Sequence, residues 1–435
     1  MRYIIATLGC KVNQYESEAI DQLLRAHGHE NVESGAGADA IVVNTCAVTA
    51  EGVRKVRQLC RRLERENPGA ALCLCGCWTQ VESAAAAELG AEVLFGTGDR
   101  QGFVAAVERT AALRAGDGEP SAPIRSVDDP FRRKHFDELP AGAYAGHARA
   151  YLKIQDGCDN FCSYCVIPYA RGRVLSLSAE KCAAAAAALD TRGYREIVVT
   201  GIEIASWGKD LPGRPGLIDA LEAMGAAVGP ETRLHLGSLE PTAVTDAFVE
   251  RLRRLPVNPH FHLSLQSGCD ATLKRMRRKY TRSEYFAALE RLREAFPGCS
   301  LTTDLIVGFP GEDEAEFRET LDFLRRCAFA AVHVFPYSRR PGTRAADFPD
   351  QVSREEKARR VAAASALAAE TGRAYRAGLV GATLSVLFET ERDGICLGHA
   401  ENYAEVAVPG TKFRGLVKKV KITGIQGEKL VGVAL

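Results

Sequence analysis

The stretch AYLKIQDGCDNFCSYC, Ala150 to Cys165, is where the fold and the chemistry of the chain can be read together. AYLKIQ is an apolar run that reads as a strand. The loop after it sets Cys158, Cys162 and Cys165 in a CxxxCxxC spacing. Outward from it, EIVVTG, RLHLGS, HFHLSLQ, LTTDLIVGF and AVHVFPYS repeat the strand pattern. Helical stretches lie between them, among them the alanine-rich run 183–189. Six such units predict an open or partial TIM-like (β/α) barrel over 149–374, with its sites at the C-terminal ends of the strands. The triplet would then sit at the barrel mouth.

Two groups could use three such thiolates. A structural zinc site wants four protein ligands, yet Cys182 falls in or beside a helix and the next cysteine is Cys269. A [4Fe-4S] cluster held by three thiolates keeps one iron without a protein ligand, open to a bound molecule. The spacing and the position favour the cluster. The chain has 435 residues, 14 of them cysteine, and a formal net charge of +1. The start, MRYIIATLGC, shows no leader-like apolar run, and no stretch of about 18 apolar residues suggests a membrane span. A cytosolic chain keeps its thiols reduced, so clustered cysteines read as metal ligands or catalysts. The small net charge provides no global field for nucleic acid, and any such binding must be local.

Residues 1–113 alternate YIIAT, DAIVVNT, AALCLC and AEVLFGT with helical segments, which predicts a parallel α/β sandwich. Cys10 and Cys46 lie just past two strand ends, which share one edge in a parallel sheet. Cys73 and Cys75 alternate with apolar residues inside a strand and read as packed thiols. Cys77 lies past that strand, after Gly76, at the same offset from Leu74 as Cys46 from Val43. It is the expected third member of a second metal-binding set. Residues 114–148, with AGDGEPSAPIRSVDDP, read as a linker. Residues 375–435 carry short strands separated by turns, a small all-β barrel of the OB-like kind. Its run VKKVKI places Lys418, Lys419 and Lys421 as RNA-binding candidates. A second basic run, LKRMRRKYTR, reads either as a phosphate-contacting patch or as a solvated helix face.

TLGCKVNQYES, VVNTCAVT, GCWTQ, KIQDGCDNFCSYCVIPYARGR, SLEP, HLSLQSG, TDLIVGFPGE and HVFPYSRRPGT together resemble the radical S-adenosylmethionine (radical SAM) methylthiotransferase family over essentially the whole chain. The C-terminal segment resembles a TRAM domain, a tRNA-binding β barrel. The resemblance implies two [4Fe-4S] clusters, one on Cys158, Cys162 and Cys165 that binds SAM, and an auxiliary one on Cys10, Cys46 and Cys77. It also implies tRNA as partner and an electron donor such as flavodoxin or ferredoxin. Gln266, Asp304 and Glu240 lie at or near barrel strand ends and are candidate SAM contacts. The N-terminal motifs and PYARGR look most like the branch acting on carbon 2 of N6-threonylcarbamoyladenosine in tRNA. Alternatives are the branch acting on an aspartate of a small-subunit ribosomal protein, and a non-catalytic RNA-binding iron–sulfur redox sensor. Related sequences usually carry more arginine after ARGR, where this chain reads VLSLS, with Leu175 and Leu177.

Overall fold

A computed structural model describes residues 1–35, 37–116, 122–141 and 148–435. The N-terminal sheet contains β1 (Arg2–Thr7), β2 (Glu30–Asn31), β3 (Ala40–Thr45), β4 (Ala71–Gly76), β5 (Val93–Phe95) and β6 (Ile124–Ser126), in the order β2-β1-β3-β4-β5-β6. All pairings are parallel. Every residue of β3 and β4 is buried, as a parallel sheet covered on both faces requires. The covering helices are α1 (Lys11–Ala26), α2 (Ala50–Glu66), α3 (Cys77–Val81), α4 (Ser83–Ala87) and α5 (Arg100–Ala115). One expectation needs correction. Ile124–Ser126 lies in the stretch read as linker, yet it pairs with β5 as the sixth strand. Three residues are too short to show period-2 patterning among Pro and Asp neighbours. Residues 117–121 and 142–147 of that stretch fall outside the described residues.

The central domain begins with β7 (Arg149–Lys153), followed by the short antiparallel pair β8 (Gln155–Asp156) and β9 (Leu175–Ser176). It continues with β10 (Glu196–Thr200), β11 (Arg233–Leu236), β12 (His260–His262), β13 (Ser300–Val307) and β14 (Ala331–Pro336). The parallel sheets β7-β10-β11 and β12-β13-β14 are joined by the bridges Leu234–Val257 and Leu239–Leu263. The result is a six-stranded arc, open between β14 and β7 among the described residues. α1 of the N-terminal domain packs against β7.

The last domain is a closed barrel of β15 (Thr383–Arg392), β16 (Ile395–Ala400), β17 (Glu405–Pro409), β18 (Val417–Gln426) and β19 (Lys429–Ala434). Gly398 is needed at the β15–β16 crossing, where a Cβ would lie 2.2 Å from the Leu387 carbonyl. The barrel docks on the N-terminal ends of the central strands. Arg233 donates to the carbonyls of Ser385 at 3.1 Å and His399 at 3.3 Å, and Arg149 donates to the Tyr403 hydroxyl at 3.0 Å. The Tyr403 ring lies 4.6 Å from the ring of His235 and 4.8 Å from that of His260. It forms the floor of the central lumen.

Tyr403→Ala removes this floor. We expect a cost on the order of 3 kcal/mol and faster proteolysis around Gly378. Tyr403→Phe, which loses only the bond from Arg149, should cost about 1 kcal/mol. Urea denaturation of the two variants measures both.

Candidate functional site: two cysteine triplets across one cavity

The N-terminal cysteines follow from the sheet order. β1, β3 and β4 are adjacent, so the residues after their C-terminal ends share one edge. Cys10 caps the N-terminus of α1, Cys46 follows β3, and Cys77 opens α3. Asn13 ties two of the loops together, its Nδ2 donating to the Leu8 carbonyl at 2.9 Å and the Thr45 carbonyl at 3.1 Å. Gly76 makes the turn into α3 at a φ of 110°, and a Cβ there would lie 2.5 Å from the Thr45 carbonyl. Cys77 is buried, and burial pushes its thiol up to about 12 against the pull of Arg171 and with the help of Cys10 and Cys46. Cys73 and Cys75 are fully buried on the other face of β4, packed with Phe95 and Phe103.

Beneath the triplet lies a buried ionic network. Arg171, from helix α6 (Ile167–Arg171), donates through Nε to the Cys77 Sγ at 3.3 Å. Its Nη2 donates to Asn13 Oδ1 at 3.0 Å and to Glu16 Oε2 at 3.1 Å, and Nη1 reaches Asp156 at 3.2 Å. Glu16 also receives Arg100 at 2.9 Å and Lys153 at 3.0 Å, and Lys153 bonds Asp156 at 2.8 Å. Burial alone would raise the Glu16 carboxyl, but Arg171, Lys153 and Arg100 hold it well below its ordinary range. The five charges come from both domains, so the network fixes the N-terminal sheet against the central barrel.

The central triplet is built in the same way. Cys158, Cys162 and Cys165 sit on the loop after β8, half-exposed. The backbone N–H groups of Asn160 and Ile167 point at the sulfurs of Cys158 and Cys165, at 3.5 and 3.4 Å. Phe161 turns the loop at a φ of +47° and stacks on Phe131. Arg278 donates to the Cys162 Sγ at 3.2 Å and, through Nη2, to both Glu240 oxygens at 2.6 Å. Burial raises the Cys158 and Cys165 thiols to about 12. Each site therefore sets a guanidinium on one sulfur with a carboxylate behind it. Three sulfurs with hydrogen-bond donors aimed at them suit a bound [4Fe-4S] cluster, whose sulfurs carry negative charge.

A cavity of about 270 Å³ lies between Cys165 and the loop after Cys46. Cys165, Gln266, Asp304 and Phe335 form one wall, and Val48 and Thr49, just after Cys46, form another. Gln266 holds a left-handed φ of 66°, with its backbone bonded to Asp304 and Ile306, which fixes the expected contact pair side by side. Asp304 faces His262 at 3.4 Å and also lines the barrel lumen, a cavity of about 610 Å³. Glu240 is turned to Arg278 and borders a third cavity of about 230 Å³ beside Cys162. Glu203 borders that cavity too. Its Oε1 is buried without a hydrogen-bond partner among the described residues, and burial raises its carboxyl to about 7. Sequence reasoning passed over Glu203, although an acid three residues past the strand end VVT was the available signal. In LKRMRRKYTR, Arg275 pairs with Glu316, Arg278 with Glu240, and Arg282 with Glu319, while Lys274, Arg277 and Lys279 are exposed. On β18, Lys419 and Lys421 are exposed on one face, while Lys418 is half-buried with its ammonium over the Phe413 ring at 4.7 Å.

The Radical SAM superfamily model matches residues 152–324, and that of the Uncharacterized protein family UPF0004 matches residues 2–96. The threonylcarbamoyladenosine tRNA methylthiotransferase MtaB of Bacillus subtilis is 38% identical, covering 96% of this chain and 92% of that protein. The MtaB of Thermotoga maritima is 33% identical, over 98% and 95% respectively. A tRNA-2-methylthio-N(6)-dimethylallyladenosine synthase of Citrifermentans bemidjiense is 33% identical, over 97% and 96%. Among solved structures, the radical S-adenosylmethionine methyltransferase TsrM of Kitasatospora setae matches with a TM-score of 0.55 at 15% identity, covering 79% of this chain and 77% of that one. That likeness is one of fold.

Glu16→Gln leaves Arg100, Lys153 and Arg171 buried with Asp156 as their remaining carboxylate. We expect a loss of about 3–5 kcal/mol. The folded state holds the Glu16 carboxyl below its unfolded range. Its contribution is therefore present at neutral pH and lost as pH falls below the unfolded carboxylate value. Denaturation as a function of pH should show a shallower acid limb in the variant.

Proposed function

The chain belongs to the radical SAM methylthiotransferase family, and from that premise we propose that it transfers a methylthio group to carbon 2 of N6-threonylcarbamoyladenosine in tRNA. The observation that carries the reading is the shared cavity: Cys165 of one triplet and the loop after Cys46 of the other face the same space. A reaction that makes a radical at one site and delivers sulfur from the other needs its acceptor carbon between them. Carbon 2 of adenine has neither an acidic hydrogen nor a leaving group, so cofactor chemistry must open that bond.

In this reading Cys158, Cys162 and Cys165 hold one [4Fe-4S] cluster and Cys10, Cys46 and Cys77 the other. Bound clusters and SAM supply a one-electron reductant, a carbon radical and the transferable sulfur. The chain supplies placement and charge. Arg171 and Arg278 each offset thiolate charge at one sulfur, and Glu16 and Glu240 aim them. Glu203 offers its unpaired oxygen to the ammonium of a methionine moiety beside Cys162. Gln266 and Asp304 offer hydrogen bonds in the cavity where an adenosine would lie. Lys419 and Lys421 offer charge to tRNA phosphates from the outer face of β18. The domains run over 1–113, 149–374 and 375–435, with β6 completing the first sheet from the intervening segment. The enzyme works in the cytoplasm with a flavodoxin- or ferredoxin-like electron donor. Among the described residues no helix is long and apolar enough to cross a membrane.

Anaerobically reconstituted protein should hold about eight irons per chain. Cys162→Ala should abolish 5′-deoxyadenosine and product together. Cys46→Ala or Cys77→Ala should keep SAM cleavage and lose product, and Cys75→Ala should keep both. Nucleoside mass spectrometry of tRNA from a deletion strain should show loss of 2-methylthio-N6-threonylcarbamoyladenosine. Loss of the dimethylallyl nucleoside in its place would reject the substrate.

A further inference from the structure

The barrel lumen holds a lysine with no ion-pair partner among the described residues, where burial and Arg149 work against its charge and Glu196 favours it. Lys11, the residue after Cys10, lines the cavity of about 610 Å³ together with Gly201, Ser238, His262, Asp304, His333 and Tyr403. It makes no ion pair or side-chain hydrogen bond among the described residues. Its one close partner is the Tyr403 ring, at 5.9 Å from the ammonium. None of the acids that line the cavity forms an ion pair with Lys11 among the described residues. Asp304 faces His262, Glu405 pairs with Lys429 at 2.7 Å, and Glu428 is exposed. An unpaired ammonium inside a lumen is costly unless an anion arrives. Asp304 lines both this lumen and the cavity between the triplets, so the two spaces share a wall.

We propose that the lumen receives the N6 arm of the substrate and that Lys11 binds the carboxylate of its threonyl group. The inference rests on the function proposed above and identifies what selects the substrate. The threonylcarbamoyl arm ends in a carboxylate and a hydroxyl, whereas a dimethylallyl arm is wholly apolar. N6 and carbon 2 flank N1 on one edge of the adenine ring. If carbon 2 faces the triplet containing Cys10, the arm lies on the side where Lys11 follows Cys10. His262 and His333, with rings 6.0 Å apart, add polar groups to the same wall, and Thr302 fixes His262 by a 3.1 Å bond at Nδ1. An apolar arm in this lumen would desolvate these groups and leave Lys11 unpaired, which selects against it.

The test uses anticodon stem–loop RNAs carrying N6-threonylcarbamoyladenosine, its neutral methylamide, or N6-dimethylallyladenosine. kcat/KM for methylthiolation is measured for each by nucleoside mass spectrometry. The wild-type enzyme should prefer the acid over the methylamide by roughly ten- to a hundredfold, mainly through KM. Lys11→Gln should bring that ratio near one, and Lys11→Arg should restore most of it. Both substrates are compared on one preparation, so the ratio stands even if a variant holds less iron. Iron content and 5′-deoxyadenosine formation report such a loss separately. Equal use of acid and amide by the wild type overturns the proposal, as does a full acid preference in Lys11→Gln. So does a preference that disappears in Arg376→Gln, the other cation of this cavity without an ion-pair partner among the described residues, and survives in Lys11→Gln. Wild-type preference for the dimethylallyl RNA defeats the underlying functional reading before any variant is examined.

Discussion

The arrangement of the candidate site depends on one buried group of charges. Glu16, Arg100, Lys153, Asp156 and Arg171 are at most 8% exposed, and they come from α1, the first residue of α5, the ends of β7 and β8, and the short helix α6, in two domains. Removing five charges from water is expensive, and attraction between them offsets that only when geometry and hydrogen bonding are nearly complete. Such a group tolerates few alternative arrangements. It ties α1 to the loop after β7 where the two domains meet, and there Cys165 and the loop after Cys46 face one cavity. Packing of apolar residues alone would permit more sliding between the domains than the chemistry could use.

The two triplets also share a way of managing charge. In each, a guanidinium contacts one sulfur and a carboxylate holds the guanidinium: Glu16–Arg171–Cys77 and Glu240–Arg278–Cys162. Burial raises the thiols of Cys77, Cys158 and Cys165, so the free sites favour protonated sulfur. Ligation must displace those protons, and the nearby cations lower the cost of the resulting thiolates. The backbone N–H groups aimed at Cys46, Cys158 and Cys165 act in the same direction without adding net charge.

Much of this was legible in the sequence because it depends on local spacing. Strand ends place Cys10, Cys46 and Cys77 on one edge, and the CxxxCxxC loop needs only its own strand before it. Period-2 alternation correctly put Cys73 and Cys75 in the core. What could not be read are pairings between residues far apart in sequence. Arg171 meets Glu16 across 155 positions and Arg278 meets Cys162 across 116, and no periodicity reports such contacts. For the same reason the sequence could not show that Arg275, Arg278 and Arg282 of LKRMRRKYTR find carboxylates on other elements. β6 was hidden by its shortness, and Glu203 by the absence of any pattern around it.

The open side of the barrel gives these separate features a common geometry. A closed eight-stranded barrel fills its interior with side chains, but six strands leave β7 and β14 unpaired to each other and the lumen unfilled. α1 closes part of that gap from outside, so its first residues line the interior although they belong to another domain. Cys10 and Lys11 reach the lumen in this way, and Tyr403 closes the bottom from the third domain. The lumen is therefore lined by residues of all three domains. The buried charges that join Glu16 of α1 to Lys153 of β7 lie where the first two of these domains meet, so the contact that docks the domains also positions part of the lumen wall.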